Sequence, residues 1–132
     1  MASDNINIGI VGLGFMAAMH IRAYRQIDGV TVAAICDLDP ERLKGDFTAA
    51  VGNLDSSEPV ILDMSQVKAY QDFNDLLADE SIDAIDICTP TRTHLRMTKP
   101  ALASGKHVIC EKPLARNVAD AKELVEAAEQ AK

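Results

Sequence analysis

Apolar residues recur along the chain in two alternating rhythms. Nearly unbroken apolar runs at 6–11, 30–36, 82–89 and 106–110 read as β-strands, with a shorter strand at 67–70. Between them the apolar positions take helical spacing. Met16, Met19, Ala23, Tyr24 and Ile27 mark a helix over 15–27, and Val118, Ala121, Leu124, Val125 and Ala128 share one face of 118–132. Asp39-Pro40-Glu41 sets proline and acids where a first turn favours them, which predicts a helix running to about residue 51. Asp72 is placed to N-cap a helix over 73–78. A longer helix is expected over 93–104, interrupted and kinked at Pro100 and closed by Gly105. Residues 52–65, with their Asn, Asp, Ser and Pro content, read as one long loop in which nothing suggests a site.

Strands that alternate with helices, and that are apolar on both faces, belong to a parallel sheet covered on both sides. The expected fold is therefore a doubly wound α/β parallel sheet, a Rossmann fold, occupying 1–132 as one dinucleotide-binding domain. Composition narrows the partners. A net charge of −7 without a Lys/Arg cluster repels polyanions, so no nucleic-acid partner is expected. No apolar run approaches the roughly 18 residues of a membrane span and the N-terminus lacks a secretion signal, which points to no membrane partner and a cytoplasmic location. Cys36, Cys88 and Cys110 each fall in a strand run, with no second cysteine at metal-ligand or redox spacing. They read as small buried hydrophobes in a reducing compartment, and no metal site is expected. Cys110, near Lys112, is the thiol to test for reactivity.

Candidate chemistry begins between the first strand and the first helix. Gly12-Leu13-Gly14-Phe15-Met16-Ala17 has the pattern G-x-G-x-x-A, and Asp37 follows at the end of the second strand. In that context Gly12 permits the tight turn, Gly14 lets backbone approach a diphosphate, and Ala17 keeps the helix close to the sheet. The helix N-terminus then offers amides and a partial positive charge to phosphate. Asp37 is placed to accept hydrogen bonds from the ribose hydroxyls of NAD. Against a 2′-phosphate it would repel by ~4 kcal/mol at ~4 Å and an effective dielectric of ~20, so NAD is expected over NADP. Arg42 either relieves part of that repulsion or is a solvated helix arginine.

Two further strand tips are polar where packing does not ask for it: Thr89-Pro90-Thr91-Arg92-Thr93-His94 after the fourth strand, and Glu111-Lys112-Pro113 after the fifth. Together with the glycine turn and His20, and above all through Gly105-Lys106-His107-Val108-Ile109-Cys110-Glu111-Lys112-Pro113-Leu114-Ala115, the chain resembles the nucleotide-binding half of the glucose-fructose oxidoreductase / inositol dehydrogenase / rhizopine-catabolism (Gfo/Idh/MocA) family over nearly its whole length. The resemblance implies an NAD-dependent oxidoreductase moving a hydride between nicotinamide and the hydroxyl carbon of a sugar, cyclitol or related polyol. It implies further that Lys112 is the active-site lysine, that Glu111 contacts the nicotinamide end, and that Thr89 and Pro90 line the ribose and phosphate on that side. Thr91 departs from the asparagine often found at its position. His94 is either a catalytic neighbour of that site or a histidine bonded to backbone on the first turn of its helix. His20 is expected to pack, and His107 carries no functional reading.

The family's general acid/base comes from a second, substrate-binding domain, and its homo-oligomers assemble through that domain's sheet. Because the helical pattern here runs to Lys132 without a cap, the last strand and the substrate domain are expected to lie outside this chain, which is then a fragment, inactive alone. The alternative is a non-catalytic module that binds or senses NAD(H).

Overall fold

The computed structural model describes residues 5–50, 52 and 58–131. Five strands, β1 (Ile6–Val11), β2 (Val30–Cys36), β3 (Lys68–Tyr70), β4 (Ala84–Ile87) and β5 (His107–Cys110), form one sheet in the order β3-β2-β1-β4-β5. Every pairing is parallel. The helices are α1 (Phe15–Tyr24), α2 (Phe73–Ala78), α3 (His94–Ala103) and α4 (Val118–Gln130). The expected doubly wound sheet is therefore what the chain forms. Among the described residues no helix is long and apolar enough to cross a membrane.

The sheet separates two apolar layers, because side chains alternate along each strand. On one face Ile8, Ile10 and Ile35 pack against Ala17, Ala18 and Ile21 of α1. On the other Val11, Ile85 and Ile87 pack against Leu76 of α2 and Ala101 of α3. Each fully buried isoleucine contributes about 1.5–3 kcal/mol relative to exposure. A Cβ at Gly9 in β1 would stand 2.9 Å from Leu76 Cδ1, so any side chain there would make Leu76 shift.

Asp72 caps α2 as expected, accepting from Asn74 N at 2.8 Å. Gly105, at φ +79°, ends the chain's exit from α3, which runs unbroken across Pro100 and does not show the predicted interruption. Only the Arg96 carbonyl loses its donor there, a tolerable loss on the exposed face of the helix. The helix predicted over 41–51 is not formed: only the 3-10 turn Arg42–Lys44 is helical. Gly45 leaves it at φ +74°, and the chain pairs Asp46 with Ile61 in an antiparallel bridge. That bridge brings Phe47, Val60 and Leu62 into the α1-side core, so burial overrides helix propensity and part of the expected loop is core. The remainder of that loop, 53–57, lies outside the described residues, as do 1–4, 51 and 132.

At the amino-terminal edge of the sheet, Asp79 ties β3 to the entry of β4. Its Oδ2 accepts from Lys68 Nζ and Tyr70 Oη, both at 2.8 Å, and its Oδ1 accepts from Ser81 N at 3.0 Å and Ser81 Oγ at 2.7 Å. Those bonds, Lys68 first, hold its carboxyl well below the usual carboxylate range. A folded value below the unfolded one adds stability above the unfolded carboxylate value and forfeits it as pH falls through the folded value. Asp79→Asn is thus expected to cost about 2–3 kcal/mol at neutral pH. The loss should shrink on acidification below about pH 4, with NAD binding untouched; urea unfolding at several pH values measures it.

Candidate functional site

In this strand order the chain reverses direction of winding between β1 and β4, and the rim above that switch point is where α/β sheets place ligands. Backbone bonds align the strand tips along it. Gly12 N donates to Cys36 O at 2.9 Å, Asp37 N to Tyr70 O at 3.2 Å, Cys88 N to Val11 O at 2.9 Å, and Glu111 N to Ile87 O at 3.0 Å. A groove of about 860 Å³ opens over the rim, lined by Gly12, Gly14, Phe15, Met16, Asp37, Arg42, Thr89 and Pro90 among the residues singled out from sequence.

The two glycines of the turn have different reasons to be glycine. Gly12 sits at φ +86°, and a Cβ on it would stand 2.8 Å from Thr89 N and 2.9 Å from the Cys88 carbonyl carbon. Gly12 therefore lets β1 and β4 tips touch. Gly14 has ordinary φ of −96° and a Cβ there meets nothing within 4 Å. The chain's own packing makes no demand for glycine at 14, and the open side faces the groove. Gly14 is also the N-cap of α1 without a side-chain cap bond, so the first-turn amides of α1 have no side-chain acceptor. A diphosphate fits that set of donors. Leu13 and Ala17 lie beneath, 4% and 0% exposed, as the packing layer of the turn.

Asp37 is anchored rather than free to swing. Its Oδ2 accepts from Leu13 N at 2.8 Å and its Oδ1 from Asp39 N at 2.9 Å, which leaves acceptor capacity on both oxygens at the groove wall. Arg42 Nη1 lies 3.8 Å from Asp37 Oδ2 and Arg42 Nε 3.8 Å from Asp39 Oδ2, so it is paired with the acids at this end rather than merely solvated. Arg92, in the polar tip after β4, and Arg96, which the sequence pattern does not flag, both line the groove from the β4–α3 side. The local field of this acidic chain is thus less negative at the rim than its net charge suggests.

At the β4 tip Thr93 Oγ1 donates to Pro90 O at 2.7 Å and receives Thr89 Oγ1 at 2.6 Å, fixing the 3-10 turn Thr91–Thr93. Thr91 is half-buried on that turn and does not line the groove. Of the two readings of His94, the structure shows the backbone-bonded one. The ring is 1% exposed, with Nε2 2.9 Å from Thr89 O and Nδ1 3.1 Å from Pro113 O. It staples the β4 tip to the β5 tip and reaches no groove surface.

Lys112 projects from the β5 tip, exposed, with no hydrogen bond or ion pair among the described residues, and precedes a cis peptide to Pro113. Its neighbour Glu111 is engaged by α1, with Oε1 3.0 Å from His20 Nε2. The other nitrogen of that ring, Nδ1, is 2.7 Å from Oδ2 of Asp86, which is fully buried and also accepts from Tyr24 Oη at 2.7 Å. His20 therefore does more than pack. The signal in the sequence that could have found this cluster is Asp86, one acid inside the apolar run Ala84-Ile85-Asp86-Ile87-Cys88. Donor atoms of His20, Asp86 and Cys88 lie within 4.8 Å of one another. Both ring nitrogens are already at hydrogen-bond distance from carboxylates, and burial pushes the Cys88 thiol up so that it keeps its proton. Burial likewise raises Cys110 and lifts Cys36 to about 12, which argues against a reactive thiol at neutral pH.

Residues 6–132 match the family model for the Gfo/Idh/MocA oxidoreductases, described as an oxidoreductase family with an NAD-binding Rossmann fold. The chain belongs to this family. Gfo/Idh/MocA relatives include D-apiose dehydrogenase of Paraburkholderia graminis, 34% identical over 122 residues, which are 92% of this chain and 29% of that protein. Another is myo-inositol 2-dehydrogenase of Thermotoga maritima, 31% identical over 126 residues, 96% of this chain and 34% of that protein. Among solved structures, an Agrobacterium radiobacter oxidoreductase in complex with NAD+, L-tartaric acid and magnesium superposes with a TM-score of 0.78 at 32% identity, covering 96% of this chain and 33% of that one. The chain thus spans about a third of the length of the relatives it matches. It is an NAD-binding oxidoreductase domain related to sugar and inositol dehydrogenases.

Proposed function

We propose that this chain is the NAD-binding half of a two-domain dehydrogenase that moves a hydride between nicotinamide and the hydroxyl-bearing carbon of a sugar, cyclitol or related polyol. One observation carries the proposal: a glycine turn at the switch point whose Gly14 is required by nothing in the chain and opens onto uncapped helix amides. The names of the relatives, an apiose and an inositol dehydrogenase, support the substrate class, and the NAD+ complex of the Agrobacterium protein supports the cofactor.

The amides of Phe15, Met16 and Ala17 would hold the diphosphate and Asp37 the adenosine ribose, with Arg42 at its edge. Thr89 and Pro90 would face the second ribose, and Glu111 and Lys112 the nicotinamide end. Bound NAD supplies the hydride acceptor. Lys112 supplies a compact ammonium that hydrogen-bonds the substrate oxygen and stabilises charge as the alcohol becomes a carbonyl. His94 serves by holding the two loops that carry these groups.

The test is a titration of NADH and NADPH into the purified polypeptide, followed by nicotinamide fluorescence. NADH is expected to bind with a Kd below about 1 mM, and at least about tenfold more tightly than NADPH. Asp37→Ala is expected to erase that preference, because the carboxylate both accepts from the ribose and repels a 2′-phosphate. Equal affinities in the wild-type chain would reject the part given to Asp37, and no binding of either would reject the proposal. Binding without turnover of any polyol by the full-length protein would leave a sensing module instead.

A further inference from the structure

His20, Asp86 and Glu111 come from three elements, α1, β4 and the β5 tip, and meet through one imidazole. Counting protons constrains their state. A neutral imidazole has one N–H, yet both ring nitrogens face carboxylate oxygens, at 2.7 and 3.0 Å. Asp86 is surrounded by donors: Tyr24 Oη at 2.7 Å on Oδ2 and Cys88 Sγ at 3.5 Å on Oδ1, besides the ring. It has nothing to donate to, and acts as acceptor alone. Among the described residues no lysine or arginine pairs with either acid, so the ring is the one cation that can satisfy both. Lys112, one residue along from Glu111, is left unpaired.

We propose that His20 is a positioning residue for the β5 tip: as an imidazolium it ties Glu111 to the buried Asp86 and so keeps the Glu111 carboxylate away from Lys112, leaving that ammonium free to face substrate. Four groups bear on the ring: Asp86 from β4, Cys88 just past its end, Glu111 from the β5 tip, and Tyr24 from α1 itself, edge-on at 6.2 Å. The hydrogen bond to Asp86 is the largest influence and raises His20 above its ordinary 6.5, against the opposing effect of burial. By the linkage sign, a raised folded value means that the bridge is intact below that ordinary value and is lost as pH climbs through the folded one. When the proton leaves, one of the two contacts must break. Glu111, 18% exposed against 0% for Asp86, is the partner that can reach water or Lys112 instead. The chain then acquires an alkaline limit on turnover that resides in α1, a helix otherwise concerned with phosphate.

The kinetic arm of the test rests on the dehydrogenase reading above; the titration arm does not. In the full-length protein, the imidazole of His20 is followed by NMR from pH 5 to 10, assigned by its loss in His20→Asn. It is expected to titrate above an ordinary histidine and to move to lower pH in Glu111→Gln. In His20→Asn, which keeps a donor toward Asp86 but falls short of Glu111, kcat is expected to fall roughly ten- to a hundredfold while the NAD Kd stays within about twofold. An unshifted titration, or one blind to Glu111→Gln, overturns the bridge even where no polyol is turned over. Full turnover in a folded His20→Asn overturns its part in positioning, and should that variant not fold, the Glu111→Gln titration decides.

Discussion

Gly12→Ala is expected to unfold the domain at temperatures where the wild type stands, whereas Gly14→Ala keeps the fold and loses the cofactor. At Gly12 the cost has two sources. Alanine at φ +86° carries about 1–2 kcal/mol of backbone strain. Its methyl would then press on Thr89 N and the Cys88 carbonyl carbon, at 2.8 and 2.9 Å, atoms held in the β1–β4 pairing that cannot swing aside. A total of about 3 kcal/mol or more lowers Tm by more than about 10 °C for a domain of this size. At Gly14 neither source operates, because its φ is −96° and the methyl meets no atom within 4 Å. Alanine there weakens the N-cap by no more than about 1 kcal/mol. On the proposed binding mode the methyl would stand where backbone must come within hydrogen-bond distance of a diphosphate, and NADH affinity is expected to drop at least about tenfold. Thermal unfolding by circular dichroism and NADH fluorescence, run on both variants, separate the two. Wild-type NADH affinity in Gly14→Ala would move the diphosphate elsewhere, and an unaltered Tm in Gly12→Ala would contradict the close β1–β4 approach.

The contrast between these glycines also shows what a sequence exposes and what it conceals. The pattern separates a turn glycine at 12 from a ligand-facing one at 14, but the reason a side chain cannot stand at 12, the approach of Thr89 and Cys88, comes only from the register of β4 against β1. Local signals were legible where a single side chain bonds its own neighbourhood. Asp72 capping Asn74 and the strand runs of β1 and β2 are of that kind. The segment after Pro40 misleads because its fate is set at a distance: Phe47 N donates to Val60 O at 2.9 Å and both side chains are core, so a helix there would strand them. His20 and Asp86 are separated by 66 positions and join only once α1 lies on β4. Asp86 was visible as an oddity in an apolar run, but its partner lay behind a helix whose pattern advertised packing alone. Likewise nothing near Lys112 in sequence announces that Glu111 is engaged by His20 of α1.

Lys112→Ala, in the full-length enzyme, is expected to lower kcat about 10²- to 10³-fold and to move the NAD Kd less than about threefold. The geometry supplies the asymmetry. Lys112 is exposed at the tip of β5 and makes no hydrogen bond among the described residues, so its removal orphans no buried partner among them. It also stands apart from the glycine turn and Asp37, which line the groove without it. On the proposed reaction, what would be lost is an ammonium that meets charge only as it develops on the substrate oxygen, and an interaction realised in the transition state appears in kcat rather than in ground-state binding. A donor of this kind contributes about 2.7–4 kcal/mol, hence the factor. Lys112→Arg keeps the charge but replaces a compact point donor with a broad planar fork, and is expected to recover only a minor part of the rate. Stopped-flow single turnovers with NAD and polyol measure the chemical step directly. A rate retained in Lys112→Ala would take the ammonium out of the reaction, and a cofactor affinity that fell in step with kcat would make it a handle for NAD instead.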